Sequence, residues 1–424
     1  MIGIVLSCLC LLLVYQVPAV KERADVRLRE LQARIKYALN PPEKVVFVPS
    51  SQHTGEAALP SPQPTSTPFP SPTPEPTQTG TPAPTEPPTL TPTITPIPSP
   101  VPPAVILSGV VHEYQQWNNC GPANLAMALS FWGWKGDQRD TAAYMKPNPR
   151  DKNVMPWEMV DFVEQKTSFK AVQRLAGDLE TLKRFIAAGF PVIVEKGFEG
   201  PKFDGWMGHY EVVTAYDDAK SEFRVQDSYL GPNQPYPYEN LLNNWRAFNY
   251  QYIVIYPPER QAEVVSILGA QADPNANYQL ALQKAQDETQ RLSGRDLYFA
   301  WYNVGSSLVS MKDYAAAATA YDAAFANYPN IPEKERPWRM LWYQTGPYFA
   351  YYYSQRYQDV IDLATSTLDA SNEPILEESY YWRGRARLAL GDTQGAIDDF
   401  KASIKYHPRF QPSLEQLQLL GVTP

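Results

Sequence analysis

One cysteine stands in the stretch YQQWNNCGPANLAMALSFWGW, from Tyr114 to Trp134, and it is Cys120; the other two, Cys8 and Cys10, fall within the first ten residues. A thiol that performs acyl chemistry needs a depressed pKa, a base that takes or holds its proton, and donors for the oxyanion of the acyl intermediate. Pro122 suits the first turn of a helix, so Cys120 stands at a helix start, where unpaired N–H groups and the helix dipole favour thiolate. Gly121 lets the backbone come close to a substrate. Four histidines compete for the role of base: His53 in a Pro/Thr-rich stretch, His407 at the end of a helical repeat, His112 eight residues before the cysteine, and His209 at the start of a hairpin.

The hairpin singles out His209. Its strands are HYEVVTAYDD and EFRVQDSY, joined by a polar turn at Asp217 to Ser221. A turn centred near Asp218 sets His209 opposite Asp227, close enough for the carboxylate to hold the imidazole tautomer, as the third member of a catalytic triad does. A slip of one residue would turn Asp227 away. Each residue also has a structural reading: Cys120 as an inert buried thiol, His209 as a strand-end cap, and Asp227 as the opening of the turn DSYLGP. Trp117 and Trp206 suit either a substrate groove or packing around the helix start.

The elements around these residues span 105–258. A helix is predicted over Pro122 to Trp132, with Leu125, Ala126, Leu129 and Trp132 on one face and Gly133 just past its end. MPWEMVDFVEQK reads as a second helix and DLETLKRFIAAG as a third, with Asp178 as N-cap and Gly189 as stop. The strand FPVIVEKGF follows, then the hairpin, then a helix–strand pair, YENLLNNWRAF and YQYIVIYPP. Helices first and adjacent strands last imply an α+β fold with an antiparallel sheet.

Residues 273–420 read as all-α repeats. Trp301, Gly305, Ala317, Tyr321 and Pro329 share their spacing with Tyr380, Gly384, Ala396, Phe400 and Pro408, which resembles the tetratricopeptide pattern. A degenerate copy with extra aromatics lies between them, around Tyr343 to Leu368, and a helix around Tyr278 to Leu292 precedes them. The run YFAYYY suits repeat packing or a groove for a partner peptide.

Three separated motifs, QQWNNCGPANLAMAL, GHYEVVTAYDD and VQDSYLGP, resemble the C39-like branch of the papain-type cysteine peptidases, relatives of the domain that clips leader peptides from exported bacterial peptides. The resemblance covers about Val111 to Pro258. It implies a papain-like fold with Cys120 as nucleophile, His209 as base, Asp227 as orienter, and Gln115 with the Cys120 backbone N–H as oxyanion hole; Gln116 competes for the amide role. No Walker loop follows, so thiol hydrolase chemistry carries over better than the peptide substrate. No HExxH, CxxC pair or carboxylate loop occurs, and neither a metal nor a cofactor is expected.

The N-terminal segment MIGIVLSCLCLLLVYQVPAV, residues 1–20, is uncharged and long enough for a membrane span or a signal segment. A juxtamembrane helix is expected within 21–49, ended by Pro41 and Pro42, and residues 50–103 form a Pro/Thr-rich disordered stalk. At ~3.1 Å per residue such a stalk reaches about 150 Å. A stalk behind an anchor makes most sense on the extracytoplasmic face, where a thiol without a partner in the soluble part calls for a reason. A net charge of -8 without a basic stripe excludes nucleic acid as a partner. The combined reading is a membrane-tethered thiol hydrolase, a cysteine peptidase whose repeats bind a protein or peptide. Its rivals are a catalytically silent binding module and a transglutaminase-like amide transferase.

Overall fold

The computed structural model describes residue 28 and residues 31–53, 101–200 and 205–423. The apolar segment 1–20 and nearly all of the stalk lie outside the described residues. Among the described residues no helix is long and apolar enough to cross a membrane.

The first domain is built on one antiparallel sheet: β1 Ala104–Ile106, β2 Lys170–Arg174, β3 Val192–Phe198, β4 Met207–Asp217, β5 Glu222–Asp227, β6 Gly231–Pro237 and β7 Tyr252–Tyr256. The order is β2-β7-β3-β4-β5-β6, with β1 paired to the far end of β4. Sequence reading found β3, β4, β5 and β7. It missed β1, which is only three residues long, β6, whose prolines are tolerated because the strand lies at a sheet edge, and β2, a short strand that is only half-buried. The α+β antiparallel expectation holds for every paired strand.

Every residue of β3 is buried, because helices cover both faces of the sheet. On one face Ile193, Val212, Ile253 and Ile255 pack against the helix Cys120–Phe131 and the helix Pro156–Lys166. On the other, Val192, Val194, Val213 and Val254 pack against helices Leu179–Ala187 and Tyr238–Trp245. The helix Cys120–Phe131 is apolar nearly all round, so it is buried from Gly121 to Leu129. Leu179–Ala187 starts where expected, with the Asp178 carboxylate accepting the Thr181 N–H at 2.7 Å. A helix at Gln138–Met145 was not foreseen; it carries few apolar residues and begins with a capping box built by Asp137 and Asp140.

The second region is all helical. Gly294–Ser310 pairs with Tyr314–Asn327, Gly346–Tyr353 with Tyr357–Ala370, and Glu377–Ala389 with Thr393–Tyr406, so the degenerate middle copy is a real helix pair with a short first helix. A Cβ at Gly305 would lie 2.7 Å from the Tyr321 ring, and one at Gly384 would lie 2.7 Å from the Phe400 ring. The shared spacing of the two repeats is therefore a shared close contact.

The two regions meet over an aromatic interface. Trp206 stacks on Phe248 and packs against Phe299 and Tyr343, which makes it an interdomain core residue and not part of a substrate groove. Arg339 donates to the Trp206 carbonyl at 2.9 Å and Gln344 to the Ala247 carbonyl at 2.6 Å. The surface pairs Arg150–Glu373 and Arg295–Glu199 add little by comparison, about 0–1 kcal/mol each. The buried aromatic side chains contribute ~1.5–3 kcal/mol each.

The segment before the stalk is placed differently from the sequence expectation. Residues 31–39 are helical up to Pro41, as expected, but residues 42–51 dock on the repeats. Phe47 meets Phe325 edge-on at 5.0 Å, and the Ser50 and Ser51 hydroxyls bond the Asp359 and Asp322 carboxylates at 2.7 and 2.6 Å. Since β1 begins at Ala104 on the sheet, both ends of the Pro/Thr-rich segment rest on the folded body. A spacer that holds the domain off a surface would have to lie before residue 31.

Candidate active site

Cys120 opens its helix, and its Asn119 and Gly121 neighbours are buried beneath it. A Cβ on Gly121 would lie 3.2 Å from the Val154 Cβ and 3.5 Å from the Tyr210 ring, so this glycine makes room for packing and not for substrate. Cys120 is half-buried, and the groups that act on its thiol are the His209 imidazole and the Tyr210 backbone N–H.

The hairpin register differs from the expectation by two residues. Val212 pairs with Gln226 and Val213 with Val225, and a bulge follows before Ala215 pairs with Arg224. The cause is a turn that closes later, with Asp217 opposite Glu222 and Ser221 at a positive φ of 53°. An even slip keeps the faces unchanged. Continuing the register puts Glu211 opposite Asp227, and His209 reaches Asp227 along the diagonal. His209 Nε2 lies 2.9 Å from Asp227 Oδ1, in a pair that is 3 % and 0 % exposed. The other ring nitrogen is left for the cysteine. Phe198 stacks on the imidazole at 4.7 Å and holds its plane.

The charges follow from this geometry. Burial raises the Cys120 thiol, but its hydrogen bond to His209 and the charge of that ring bring it below the ordinary thiol value. Burial lowers His209, yet the Asp227 carboxylate and the thiolate outweigh it and hold the imidazole at about 9. Burial raises Asp227, and the His209 charge more than cancels this, leaving the carboxyl below its usual range. The arrangement favours a thiolate–imidazolium pair at neutral pH.

Gln115 and Gln116 separate clearly. The Ser228 hydroxyl donates to Gln115 Oε1 at 2.8 Å, and Gln115 N donates to the Ser228 carbonyl at 2.8 Å, so the side-chain carbonyl is tied down and the amide N–H groups remain to donate. Gln116 is exposed and uses its backbone N–H on Gln138 Oε1.

Sequence reasoning missed the residues that hold this set. Asn124, fully buried, donates to the Cys120 carbonyl at 2.9 Å, the Tyr210 carbonyl at 2.7 Å and the Ser228 hydroxyl at 3.0 Å. A lone amide inside an apolar helix, one turn after Cys120, was its signal. Glu211 is the other: burial pushes its carboxyl up to about 7, and Lys196 Nζ lies 3.0 Å from Oε1. A proton there would let Glu211 Oε2 donate to Asp227 Oδ2, two oxygens that otherwise have no partner. The remaining histidines are placed otherwise. His112 Nε2 bonds the Asp227 carbonyl at 3.0 Å, His407 bonds Glu377, and His53 lies in the short helix Ser50–His53.

The second domain also reaches this site. A Cβ on Gly208 would lie 2.9 Å from the Tyr343 ring and 2.7 Å from Phe248, so the glycine before His209 admits a repeat-region tyrosine. A cavity of about 210 Å³ lies between the domains, bordered by Glu195, Gln251, Tyr343 and Gln344.

Residues 109–253 match the Peptidase_C39 like family, and residues 299–330 and 378–409 match a tetratricopeptide repeat. Among solved structures, the chain is similar to a protein of Bacillus anthracis described as a C39-like peptidase: 20% identity, 36% of this chain and 96% of that one, TM-score 0.30. It is similar to the peptidase domain of Streptococcus ComA, a bifunctional ABC transporter involved in quorum sensing, at 16% identity over 35% of this chain and 99% of that one, TM-score 0.29. It is also similar to xylellain, a cysteine protease from Xylella fastidiosa, at 16% identity over 37% of this chain and 87% of that one, TM-score 0.29. No curated protein matches the chain. A C39-like peptidase domain followed by tetratricopeptide repeats is thus the organisation of this chain.

Proposed function

We propose that the C39-like domain is a working thiol hydrolase, a cysteine peptidase that cleaves a peptide or protein substrate through an acyl-enzyme. The observation that carries this reading is the placement of His209 between the Cys120 thiol and the Asp227 carboxylate, with Nε2 at 2.9 Å from Oδ1. Cys120 Sγ attacks the scissile carbonyl carbon, and the oxyanion takes the Gln115 amide and the Cys120 backbone N–H. The C–N bond then breaks as His209 gives its proton to the leaving amine. Water, deprotonated by His209, hydrolyses the thioester and restores the thiol. Asp227 holds the ring orientation throughout.

In this reading the enzyme works outside the cytoplasm, tethered by residues 1–20 or secreted once that segment is removed. The apolar run and the thiol without a disulfide partner in the soluble part support that location. The repeats bind a protein or peptide. Their groove at Phe325 and Tyr351 already holds residues 42–51 of the same chain, so a partner binds elsewhere on the repeats or displaces that segment.

Intact mass of the full chain after exposure to a peptide electrophile tests the chemistry. One adduct on the wild type, none on Cys120→Ala and slow addition on His209→Ala support the proposal. Slow addition that ignores His209 would make Cys120 a structural residue.

A further inference from the structure

Away from the thiol, three potential metal donors converge where the two domains touch. Asp151 comes from the loop between helices Gln138–Met145 and Pro156–Lys166, Glu377 from the start of Glu377–Ala389, and His407 from the end of Thr393–Tyr406. One donor atom from each lies within 4.8 Å of the other two, and all three residues are buried. Glu377 Oε1 is 2.8 Å from His407 Nδ1, whereas Glu377 Oε2, on a residue 4 % exposed, has no hydrogen-bond partner. A buried carboxylate oxygen without a donor is costly and asks for a cation.

The nearby ammonium groups are engaged elsewhere. Lys146 Nζ donates to the carbonyls of Trp117 and Asn118 at 3.1 and 2.8 Å, and Lys152 Nζ sits over the Trp342 ring. Glu158, also buried, adds another carboxylate close by and spends Oε2 on the Met155 N–H at 2.7 Å. Carboxyl groups therefore crowd the interface, and burial together with mutual repulsion pushes those of Asp151 and Glu158 well above the usual carboxylate range.

We propose that Asp151, Glu377 and His407 form a structural site for one divalent cation of the Zn²⁺ kind, which clamps the repeats to the peptidase domain. An imidazole nitrogen with two carboxylate oxygens suits Zn²⁺ and its first-row neighbours, whereas Ca²⁺ and Mg²⁺ favour oxygen alone. The ion gives Glu377 Oε2 a partner. It also acts on the candidate active site at one remove. The loop that carries Asp151 holds the Trp117–Asn118 turn through Lys146, and its Val154 carbonyl accepts the Tyr210 hydroxyl at 3.0 Å. Fixing that loop fixes the approach to Cys120.

The test uses the full chain carrying Cys120→Ala, because a thiol beside His209 would compete for zinc. After stripping with EDTA, ZnCl₂ is titrated calorimetrically and the melting temperature is followed. One ion per chain and a Tm rise of several degrees are expected, with no comparable effect of MgCl₂. Adding Glu377→Gln or His407→Ala should weaken binding by at least about tenfold and abolish the Tm rise. The metal-free Tm of the Glu377→Gln chain should equal or exceed its parent's, since a buried carboxylate oxygen without a donor is gone, and this separates lost binding from lost folding. The absence of stoichiometric binding overturns the site. So does binding that survives His407→Ala and disappears with His209→Ala.

Discussion

Asp227 Oδ1 does two things at once: it meets His209 Nε2 at 2.9 Å, and it accepts the backbone N–H groups of Tyr229 and Leu230 at 2.7 and 3.0 Å. Asparagine keeps an acceptor for the turn and removes the charge; alanine removes both. Both variants lose the charge that pairs with His209, and Asp227→Ala should lose about 1–3 kcal/mol more than Asp227→Asn in urea unfolding. Both should slow acyl transfer by at least about 10²-fold. Equal stability of the two variants would show that the turn does not depend on this oxygen.

The thiol and imidazole shifts set a pH window. Alkylation of Cys120 by iodoacetamide should rise through a pKa below the ordinary thiol value, because His209 stabilises the thiolate. Acyl transfer should fall again above pH about 9, where the imidazolium gives up its proton. In His209→Ala the alkylation midpoint moves up and the rate at pH 7 drops at least about tenfold. Stability follows the same group with a definite sign. His209 is raised from 6.5 to about 9, so its contribution is full below pH 6.5 and is lost as pH rises through about 9. The wild-type Tm should decline over that range relative to His209→Ala. Parallel curves would remove the charge pair from the account.

How far the site could be read from sequence depends on which contacts are local. The helix start at Cys120 and the hairpin carrying His209 and Asp227 are written in short stretches, with Pro122, the polar turn and the alternation of β4 as their marks. The register was missed by two residues because bulges and turn closure depend on tertiary packing, and the pairing survived because strand faces repeat every second residue. Asn124 and Glu211 were invisible as partners because their bonds span the fold, as from Asn124 to Tyr210 and Ser228. The repeats were legible from Gly305 and Gly384 with their aromatic partners. The docking of residues 42–51 was not, since nothing local distinguishes VVFVPSS from a linker.

The two glutamines should behave oppositely. Gln115→Ala removes an amide anchored by Ser228, to which the proposed mechanism gives the oxyanion, and kcat on an activated peptide ester should fall by about 10²–10³. Gln116 is exposed, and Gln116→Ala should change kcat by less than about threefold, since its bonds to Gln138 and Asn119 are made by its backbone. Alkylation of Cys120 involves no oxyanion and should be unchanged in both. A fall in alkylation with Gln115→Ala would mean that the residue positions the thiol instead.

The segment in the repeat groove makes a separate prediction. Arg356 binds Asp322 at 2.7 Å and Asp359 at 2.6 Å, and Ser50 and Ser51 add to the same two carboxylates, so the polar part of the dock is half-built without the segment. The apolar part is not: Phe47 fills the space beside Phe325 and Tyr351. Phe47→Ala should therefore release the segment while the repeats stay folded, at a cost of about 1–3 kcal/mol in docking. Hydrogen exchange reads this directly. Amides of residues 42–51 should exchange at least about tenfold faster in Phe47→Ala, with those of helices Gly294–Ser310 and Tyr314–Asn327 little changed. A peptide spanning residues 42–53, added in trans, should restore protection to the groove in that variant and not in wild type. Unchanged exchange would mean that Phe47 does not anchor the segment and that the serine contacts suffice.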